Sequence, residues 1–402
     1  MLAAILTLVA CRHTDDATAS SAPVADELFQ LADSATRDTA LVSDTIRIQY
    51  ARGLRVDYRP DGVHVTISNP DPNARHDKPQ EFVITRPSRR FICTTALQLG
   101  NFEVLGLEDH IVAINSLRNL FSPRIKEQLA DGRTARIGKE GNFDLEAVLA
   151  SRPDYIFVSL SKHGGFEGLK DCGVPLIPHH GYKEPTPLGQ AEWIKLVGLL
   201  TGQTRRANAA FADIERRYLT LRDEVRSAIA SDASASSTTA HASASSTTVH
   251  GQASATDSTA LPTIISGRQI RDGWYIVGGR SYMAQLFADA GVRYVMADNE
   301  DSGGTTLDFE AVYARGADAD FWQTDGTYDG DFTLSALAAE DERYATMRAF
   351  REGHVLFCNL SRTPYRELAS VQPHLLLADF VKAFHPGVLP HYEPHYYRLL
   401  QP

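Results

Sequence analysis

One segment of this 402-residue chain occurs in related form in each half of the sequence. The first copy, residues 142–157, reads NFDLEAVLASRPDYIF, and the second, residues 306–322, reads TLDFEAVYARGADADFW. Each copy begins a helix with the pattern Asp-x-Glu-Ala-Val and then enters a strand through an aspartate. The repetition of one β/α unit in both halves predicts two similar β/α lobes.

Strands and helices alternate along both halves of the chain. Short apolar runs predict strands, and amphipathic stretches between them predict helices; the runs in the first half lie at residues 90–94, 111–114, 153–159 and 174–178. The alternation resumes after Pro262. Such alternation favours parallel sheets that are covered by helices on both faces. The predicted fold class is therefore α/β, with an N-terminal lobe over residues 45–188 and a C-terminal lobe over residues 262–402.

The N-terminal lobe is expected to open with β strands. Residues 45–50 and 62–68 alternate apolar with polar side chains, and the sequence RPDG between them, at residues 59–62, is typical of a turn. We therefore predict strands at both places.

A long helix is predicted between the lobes, over residues 189–231. Apolar residues recur there at helical spacing from Trp193 to Val225, and no proline interrupts them. At about 1.5 Å per residue such a helix is long enough to span two lobes. The Ser/Thr/Ala-rich stretch that follows, residues 232–261, has too few apolar residues to offset the entropy of ordering, so we expect a disordered insert.

The N-terminus has the form of a lipoprotein export signal. Residues 1–10 are apolar and end at Cys11, where the sequence LVAC matches the site at which such signals are cleaved and the cysteine is lipidated. The basic residues that normally begin a signal are missing, so residues 1–10 are interpreted as a partial signal peptide. Residues 11–44 are expected to form a flexible tether. A lipid anchor at Cys11 would hold the protein at a membrane surface without crossing it.

Charge and sequence motifs argue against several classes of function. Forty basic residues against 50 acidic ones leave a net charge of −10, which argues against a nucleic-acid partner. No apolar run reaches the roughly 18 to 20 residues of a transmembrane helix. Phosphate-binding glycine loops and the nucleophile elbow of hydrolases are absent from the sequence. We therefore expect a binding protein without catalytic residues, cofactor or metal site; a surface adhesive or structural lipoprotein and a hydrolase remain alternatives.

Three further segments resemble a known family. They read PLGQAEWIK at residues 187–195, GGRSYMAQL at 278–286 and LLADFVKAFHP at 376–386. Together with the repeated segment, they resemble the substrate-binding lipoproteins of ABC importers for iron chelates, haem or cobalamin. The resemblance covers about residues 45–400. It implies two Rossmann-like lobes joined by a long rigid helix, with a ligand cleft between the lobes.

The resemblance also implies partners and a location. Members of this family dock on a membrane permease, which works with an ATPase, through one surface glutamate on each lobe, and these glutamates map onto Glu146 and Glu310. A carboxylate in the first turn of a helix is favoured by the helix dipole and can pair with a permease arginine. The implied protein is a monomer, lipid-anchored in the periplasm or at the cell surface, that captures a small metal chelate. Any iron or cobalt would belong to the transported ligand.

Ligand contacts are expected in the loops after the strands, because ligands of open α/β sheets sit outside the carboxyl ends. Basic and aromatic residues dominate these loops, which suits a large anionic ligand with flat apolar faces. The candidate ligand-binding residues are Arg118, Lys162, His163, His180 and Tyr182 in the first lobe, and Arg271, Trp274, Tyr275, Arg362 and Tyr365 in the second. A histidine of the pair 179–180 could ligate haem iron, or both could be ordinary loop residues.

Overall fold

The computed structural model describes residues 43–71, 74, 77–117, 119–159, 165–242 and 261–402. The predicted signal peptide, Cys11 and the predicted tether up to residue 42 lie outside these ranges. Arg118, Lys162, His163 and residues 243–260 of the predicted insert lie outside them as well.

A small antiparallel sheet precedes the first lobe. Its strands are β1 (Leu54–Arg59), β2 (Gly62–Ile67) and β3 (Gln80–Ile84), in the order β1-β2-β3. Along β2, Val65 and Ile67 are buried while Thr66 between them is partly exposed, as expected for a sheet that is covered on one face. The strand predicted at residues 62–68 is therefore confirmed as β2.

The strand predicted at residues 45–50 is wrong, because these residues form no strand. The backbone amides of Gln49 and Tyr50 instead donate to the buried Glu192 carboxylate, at 2.9 and 2.7 Å. Glu184 accepts two further amides of the same segment. Alternation of apolar and polar residues does not distinguish a β strand from an extended segment whose amides donate to side-chain carboxylates. Both arrangements provide hydrogen-bond partners for the backbone amides.

The first lobe is built on a five-stranded parallel sheet. Its elements are β4 (Phe91–Cys93), α1 (Ala96–Leu105), β5 (Ile111–Ile114), α2 (Pro123–Ala130), β6 (Ala135–Arg136), β7 (Gly138–Lys139), β8 (Asn142–Phe143), α3 (Leu145–Ala150), β9 (Tyr155–Val158), α4 (Glu167–Lys170) and β10 (Leu176–Pro178). The sheet order is β10-β9-β4-β5-β6, with parallel pairing throughout. Every residue of β4 and β5 is buried, as expected for central strands with both faces covered.

Three helices, rather than one, follow the first lobe: α5 (Pro187–Ala191), α6 (Ile194–Thr201) and α7 (Thr204–Ala242). The prediction of a single helix over residues 189–231 is therefore wrong in its first part and at its end. Helix α6 ends at Gly202, whose φ of 69° is a left-handed conformation that glycine adopts at little cost.

Helix α7 continues past residue 231 into the segment that was expected to be disordered. Alanine, which is abundant there, is the strongest helix former. The hydroxyls of Ser231 and Ser234 each donate to the carbonyl oxygen one turn earlier, at 2.9 Å. A Ser/Ala-rich tract can thus prolong a helix that tertiary packing has already nucleated.

The second lobe repeats the parallel β/α plan. Its elements are β11 (Thr263–Ser266), β12 (Arg268–Ile270), β13 (Gly273–Val277), α8 (Tyr282–Asp289), β14 (Arg293–Tyr294), β15 (Gly304–Leu307), α9 (Phe309–Gly316), β16 (Phe321–Gly326), α10 (Leu334–Glu340), α11 (Arg348–Arg351), β17 (Val355–Asn359), α12 (Tyr365–Leu368), α13 (Pro373–Phe384) and β18 (Tyr397–Leu399). The main sheet has the order β14-β11-β16-β17-β18, in which β18 alone is antiparallel, and β12-β13-β15 form a second, antiparallel sheet. The predicted α/β fold with two lobes is confirmed.

Helices pack across the boundary between the two lobes. The buried face of α7, including Phe211, Tyr218 and Val225, belongs to one apolar cluster with the strands of the second lobe. In the other direction, α12 of the second lobe packs on α1 of the first. A Cβ atom at Gly100 would lie 1.8 Å from the carbonyl oxygen of Glu367, so this close approach of two backbones requires glycine.

Candidate functional site

The carboxyl ends of the two parallel sheets face each other. Asn119, in the loop after β5, donates from Nδ2 to the carbonyl oxygen of Leu360, which directly follows β17, at 3.1 Å. Ligands of open α/β sheets bind outside the carboxyl ends of the strands. The space between these two edges, called here the cleft, is therefore the candidate binding site.

The loop after β2 reaches the second lobe, a contact that the sequence did not indicate. Asp71, in the loop after β2, accepts a hydrogen bond from the Ser302 hydroxyl of the second lobe at 3.3 Å. Burial, and then the charges of Asp71 and Glu140, raise the pKa of Tyr182 to about 12. Tyr182 follows β10 and is 37% exposed. The predicted residue Tyr182 therefore lies close to a loop that reaches across from one lobe to the other.

A group of tyrosines surrounds an aspartate on the second lobe. The hydroxyls of Tyr282 and Tyr365 are 2.9 Å apart, and Asp325 lies at the carboxyl end of β16. Burial raises the pKa of Tyr275, and the charge of Asp325 adds to the rise. Burial also raises the pKa of Tyr282, to about 12, with a smaller contribution from the same charge. Desolvation by the surrounding protein also raises the pKa of Asp325, although the residue keeps an exposed surface. These four residues, the tyrosine–aspartate cluster, combine phenol hydroxyls with one carboxyl group.

Tyr275 offers the most accessible ring of this cluster, since the residue is 42% exposed. It lies on β13 opposite the strand β15. A Cβ atom at Gly304 would lie 1.7 Å from the Tyr275 hydroxyl oxygen, so the ring lies across the bare backbone of that glycine. The sequence identified Tyr275 and Tyr365 but missed Tyr282, because Tyr282 starts helix α8 and is not in a loop.

Trp274 and His180 were predicted to contact the ligand, and both are instead core residues. Trp274 is fully buried, packs on Trp322 with ring centroids 5.5 Å apart, and donates from Nε1 to the Ser266 carbonyl. Successive side chains of a strand point to opposite faces, so Trp274 and Tyr275 cannot both face the cleft. His180 packs edge-on against Trp193, and burial lowers its pKa to about 4.

The remaining predicted arginines of the second lobe are on the surface. Arg271 lies in the turn between β12 and β13 and, with Tyr275, lines a groove of about 480 Å³. Arg362 pairs with Asp331, with Nη1 and Oδ1 3.0 Å apart. The nearby Arg268 is also paired, with Glu340 at 2.8 Å. Carboxylates therefore offset part of the positive charge that was expected in this lobe.

Glu146 and Glu310 occupy equivalent places in the two lobes. Both are exposed and lie in the first turn of a helix, α3 and α9 respectively. Each of these helices leads into a parallel strand, so its N-terminus lies at the carboxyl edge of the sheet. The two carboxylates are thus presented on the cleft side of their lobes, beside the exposed apolar side chains of Leu145 and Leu149 on the first lobe.

A pair of carboxyl groups joins the lobes beside the cleft. Glu367 of α12 is 1% exposed and accepts hydrogen bonds from the backbone amides of Phe121, at 2.6 Å, and Ser122, at 3.0 Å. Glu103 of α1 is close enough for its carboxyl group to interact electrostatically with Glu367. Two buried carboxyl groups at short range disfavour double ionisation, and Glu367 already accepts two amides, so we expect Glu103 to carry the proton. Burial, and then the charge of Glu367, raise the pKa of Glu103 to about 8.

This pair predicts a pH dependence of stability. The pKa of Glu103 rises from 4.5 to about 8 on folding, so the folded protein binds more protons between these values. The stabilisation is complete below pH 4.5 and is lost as the pH rises through 8. In urea denaturation between about pH 5 and 9, Glu103→Gln, which retains a hydrogen-bond donor, should flatten this fall. Glu81→Gln, at an exposed glutamate of β3 that does not contribute to the pKa of Glu103, is the matched control. Parallel profiles for wild type and Glu103→Gln would contradict the assignment.

The described residues include no group of three or more His, Cys, Asp or Glu side chains that could hold a metal ion. Within the same ranges, no helix is both long enough and apolar enough to cross a membrane.

The chain is similar to known binding proteins and lipoproteins in sequence or in fold. A sequence model of the family described as periplasmic binding protein matches residues 92–359. An uncharacterized lipoprotein of Methanocaldococcus jannaschii is 20% identical over 330 residues, which cover 78% of this chain and 69% of the relative. A periplasmic heme binding protein from Pseudomonas aeruginosa has a TM-score of 0.54 at 20% identity, over 78% of this chain and 97% of that chain. An ABC-type Fe3+-hydroxamate transport system from Saccharomonospora viridis has a TM-score of 0.53 at 17% identity, over 76% and 96%. At these identities the two structures establish a shared fold.

Proposed function

Because the chain belongs to the periplasmic binding protein family, we propose that it is the substrate-binding component of an ABC import system. It captures an iron chelate, either a ferric siderophore or haem, or else cobalamin, in the cleft between its lobes. It then delivers this ligand to a membrane permease that is driven by an ATPase. The protein itself carries out no chemistry and holds no resident cofactor.

The tyrosine–aspartate cluster is the observation that supports this ligand class best. Phenol and carboxyl oxygens can donate to and accept from the oxygen-rich edge of a metal chelate, and the exposed ring of Tyr275 can stack on a flat apolar face. The two solved structures with this fold that are described as a heme binding protein and an Fe3+-hydroxamate transport system support the same ligand class.

The proposed location is the outer side of a membrane, with the lipid anchor at Cys11. The lipoprotein of Methanocaldococcus jannaschii that resembles this chain supports an anchored protein. In this arrangement Glu146 and Glu310 face the permease, because both lie on the cleft side of their lobes and are exposed. The binding protein is proposed to act as a monomer.

Ligand capture is tested by titrating the purified protein with haemin, a ferric hydroxamate and cobalamin, followed by absorbance and calorimetry. We expect saturable binding of one of them at one molecule per chain. Tyr275→Ala should weaken that binding about tenfold, as truncation of an aromatic contact commonly does. Tyr58→Ala, at an exposed tyrosine of β1, is the matched control.

The same titration separates the proposal from its alternatives. A surface adhesive or structural lipoprotein would bind none of the three ligands. A hydrolase would turn over a small ester or phosphate, which a binding protein would leave intact. Equal affinities of wild type and Tyr275→Ala would place the ligand away from the tyrosine–aspartate cluster.

A further inference from the structure

A second concave surface lies between the lobes, at their side. It has a volume of about 610 Å³ and takes residues from both lobes. The first lobe supplies Arg52 and the segment 185–186, and the second supplies residues from 261 to 297. This surface is called here the lateral groove.

The lateral groove extends from the start of α8, beside the cleft, to the amino ends of two strands of the second lobe. Its lining includes Leu261 and Arg293, which lie at the amino ends of β11 and β14. The cleft, in contrast, lies at the carboxyl ends of the parallel strands. β10 and β14 are edge strands of the main sheets of the first and second lobe. The groove lies beside these two edge strands, where residues after β10 face residues around β14.

Three arginines line the lateral groove, and two of them lack an ion-pair partner. Arg280 pairs with Glu300, with Nη2 and Oε1 2.8 Å apart. Arg52 and Arg293 are exposed, and neither guanidinium forms an ion pair with a carboxylate of the described residues, although burial raises the pKa of Glu184 and the charge of Arg52 offsets part of this rise. Exposed guanidinium groups that share one concave surface favour an anionic occupant, because a carboxylate or phosphate can accept two parallel hydrogen bonds from each.

The floor of the lateral groove is apolar and made of small side chains. Ala284 and Ala288 of α8 are one turn apart and lie on the same face of the helix. Leu261 and Ala297, which are exposed, add further apolar surface. Small residues on a helix face leave room for a chain of methylene groups, and burial of each such group from water contributes favourably to binding.

We propose that the lateral groove binds an amphipathic anion, whose carboxylate or phosphate group meets Arg52 and Arg293 and whose hydrocarbon chain lies along α8. A volume of about 610 Å³ is in the range of sites for small organic ligands. Because Arg52 belongs to the first lobe and Arg293 to the second, an occupant would bridge the lobes.

The proposal is tested with cis-parinaric acid, a fluorescent fatty acid, titrated into the full chain below the concentration at which it aggregates. We expect saturable binding of one molecule per chain. Arg52→Ala and Arg293→Ala should each weaken it about tenfold, the loss expected for a charge-assisted hydrogen bond. The neutral methyl ester should bind at least about tenfold more weakly than the acid, since it cannot pair with either arginine.

Two further variants test whether the fatty acid binds in the lateral groove. Arg55→Ala removes an exposed arginine of β1 that lies outside the groove, and it should leave the affinity unchanged. Ala288→Phe, at an exposed position of α8, should abolish binding because the added ring fills the groove. No saturable binding by the wild type, or unchanged binding by either Ala288→Phe or the Arg52→Ala/Arg293→Ala double variant, would overturn the proposal.

Competition identifies the head group. Displacement of the probe by oleate alone indicates a fatty-acid carboxylate. Displacement by lysophosphatidylglycerol alone indicates a lipid phosphate. Displacement by neither would overturn the proposal.

Discussion

Replacing Glu192 with alanine is expected to lower the free energy of unfolding by about 3 to 5 kcal/mol, the cost of breaking a buried ion pair from one side. The side chain of Glu192 is completely buried. Its carboxylate accepts hydrogen bonds from the backbone amides of Gln49, Tyr50 and Ala51, at distances from 2.7 to 3.0 Å. It also pairs with Lys195, whose Nζ lies 2.7 Å from Oε1.

The loss has two physical parts. Alanine would leave three backbone amides of the leading segment without their acceptor, and it would leave the Lys195 ammonium, only 6% exposed, without its counter-charge. Lys195 keeps one acceptor, the carbonyl oxygen of Arg47 at 2.8 Å, and lies 4.2 Å from the centre of the Phe211 ring. Neither contact neutralises its charge.

Urea denaturation measures the effect, and two variants test its cause. Glu146→Ala, at an exposed glutamate, is the control and should stay within about 0.5 kcal/mol of wild type. Glu192→Ala/Lys195→Met should recover part of the loss, because it removes the unpaired buried charge. A Glu192→Ala protein as stable as wild type, or a double variant less stable than Glu192→Ala, would contradict this account. Limited proteolysis should also cleave residues 43–53 more readily in Glu192→Ala.

Loss of both Glu146 and Glu310 is expected to weaken ligand uptake in cells strongly while leaving ligand affinity intact. The reason is the proposed docking on permease arginines, one per lobe. Removing one partner of a desolvated interfacial charge pair costs about 2 to 5 kcal/mol, and an exposed pair at the rim costs far less. The double alanine variant should therefore transport more slowly than either single variant, and substitution by arginine should be worse again through repulsion.

Uptake is measured as growth on the limiting ligand, and affinity as binding to the purified protein. Glu81→Ala, at an exposed glutamate of β3, is the matched control and should transport normally. Normal transport by the double variant would refute the docking assignment. Loss of ligand binding by the double variant would mean that these carboxylates face the ligand instead of the permease.

The lobes, their sheets and the positions of the paired glutamates could be predicted from the sequence. Apolar runs flanked by helical spacing indicate buried parallel strands, because backbone geometry alone sets the two periodicities. Asp144 illustrates the same point for a helix end, since its carboxylate accepts the Ala147 amide at 3.0 Å, as an aspartate before a helix normally does. Glu146 follows it in the first turn, so its exposure on the lobe surface also follows from a short stretch of sequence.

The environment of a side chain depended on residues distant in the chain, and this is where prediction failed. Gln49 and Glu192 are separated by 143 residues, yet their hydrogen bond decides that residues 45–50 form no strand. In the sequence, Trp274 and Tyr275 are equally good candidates for contact with a ligand. Their side chains point to opposite faces of β13, so Trp274 is buried and Tyr275 is exposed. Periodicity describes how a backbone repeats, whereas burial, pairing of charges and the shape of a cleft arise only when distant segments pack together. The lobes could therefore be predicted locally, but the residues that face the cleft, the carboxyl pair of Glu103 and Glu367 and the lateral groove required the tertiary structure.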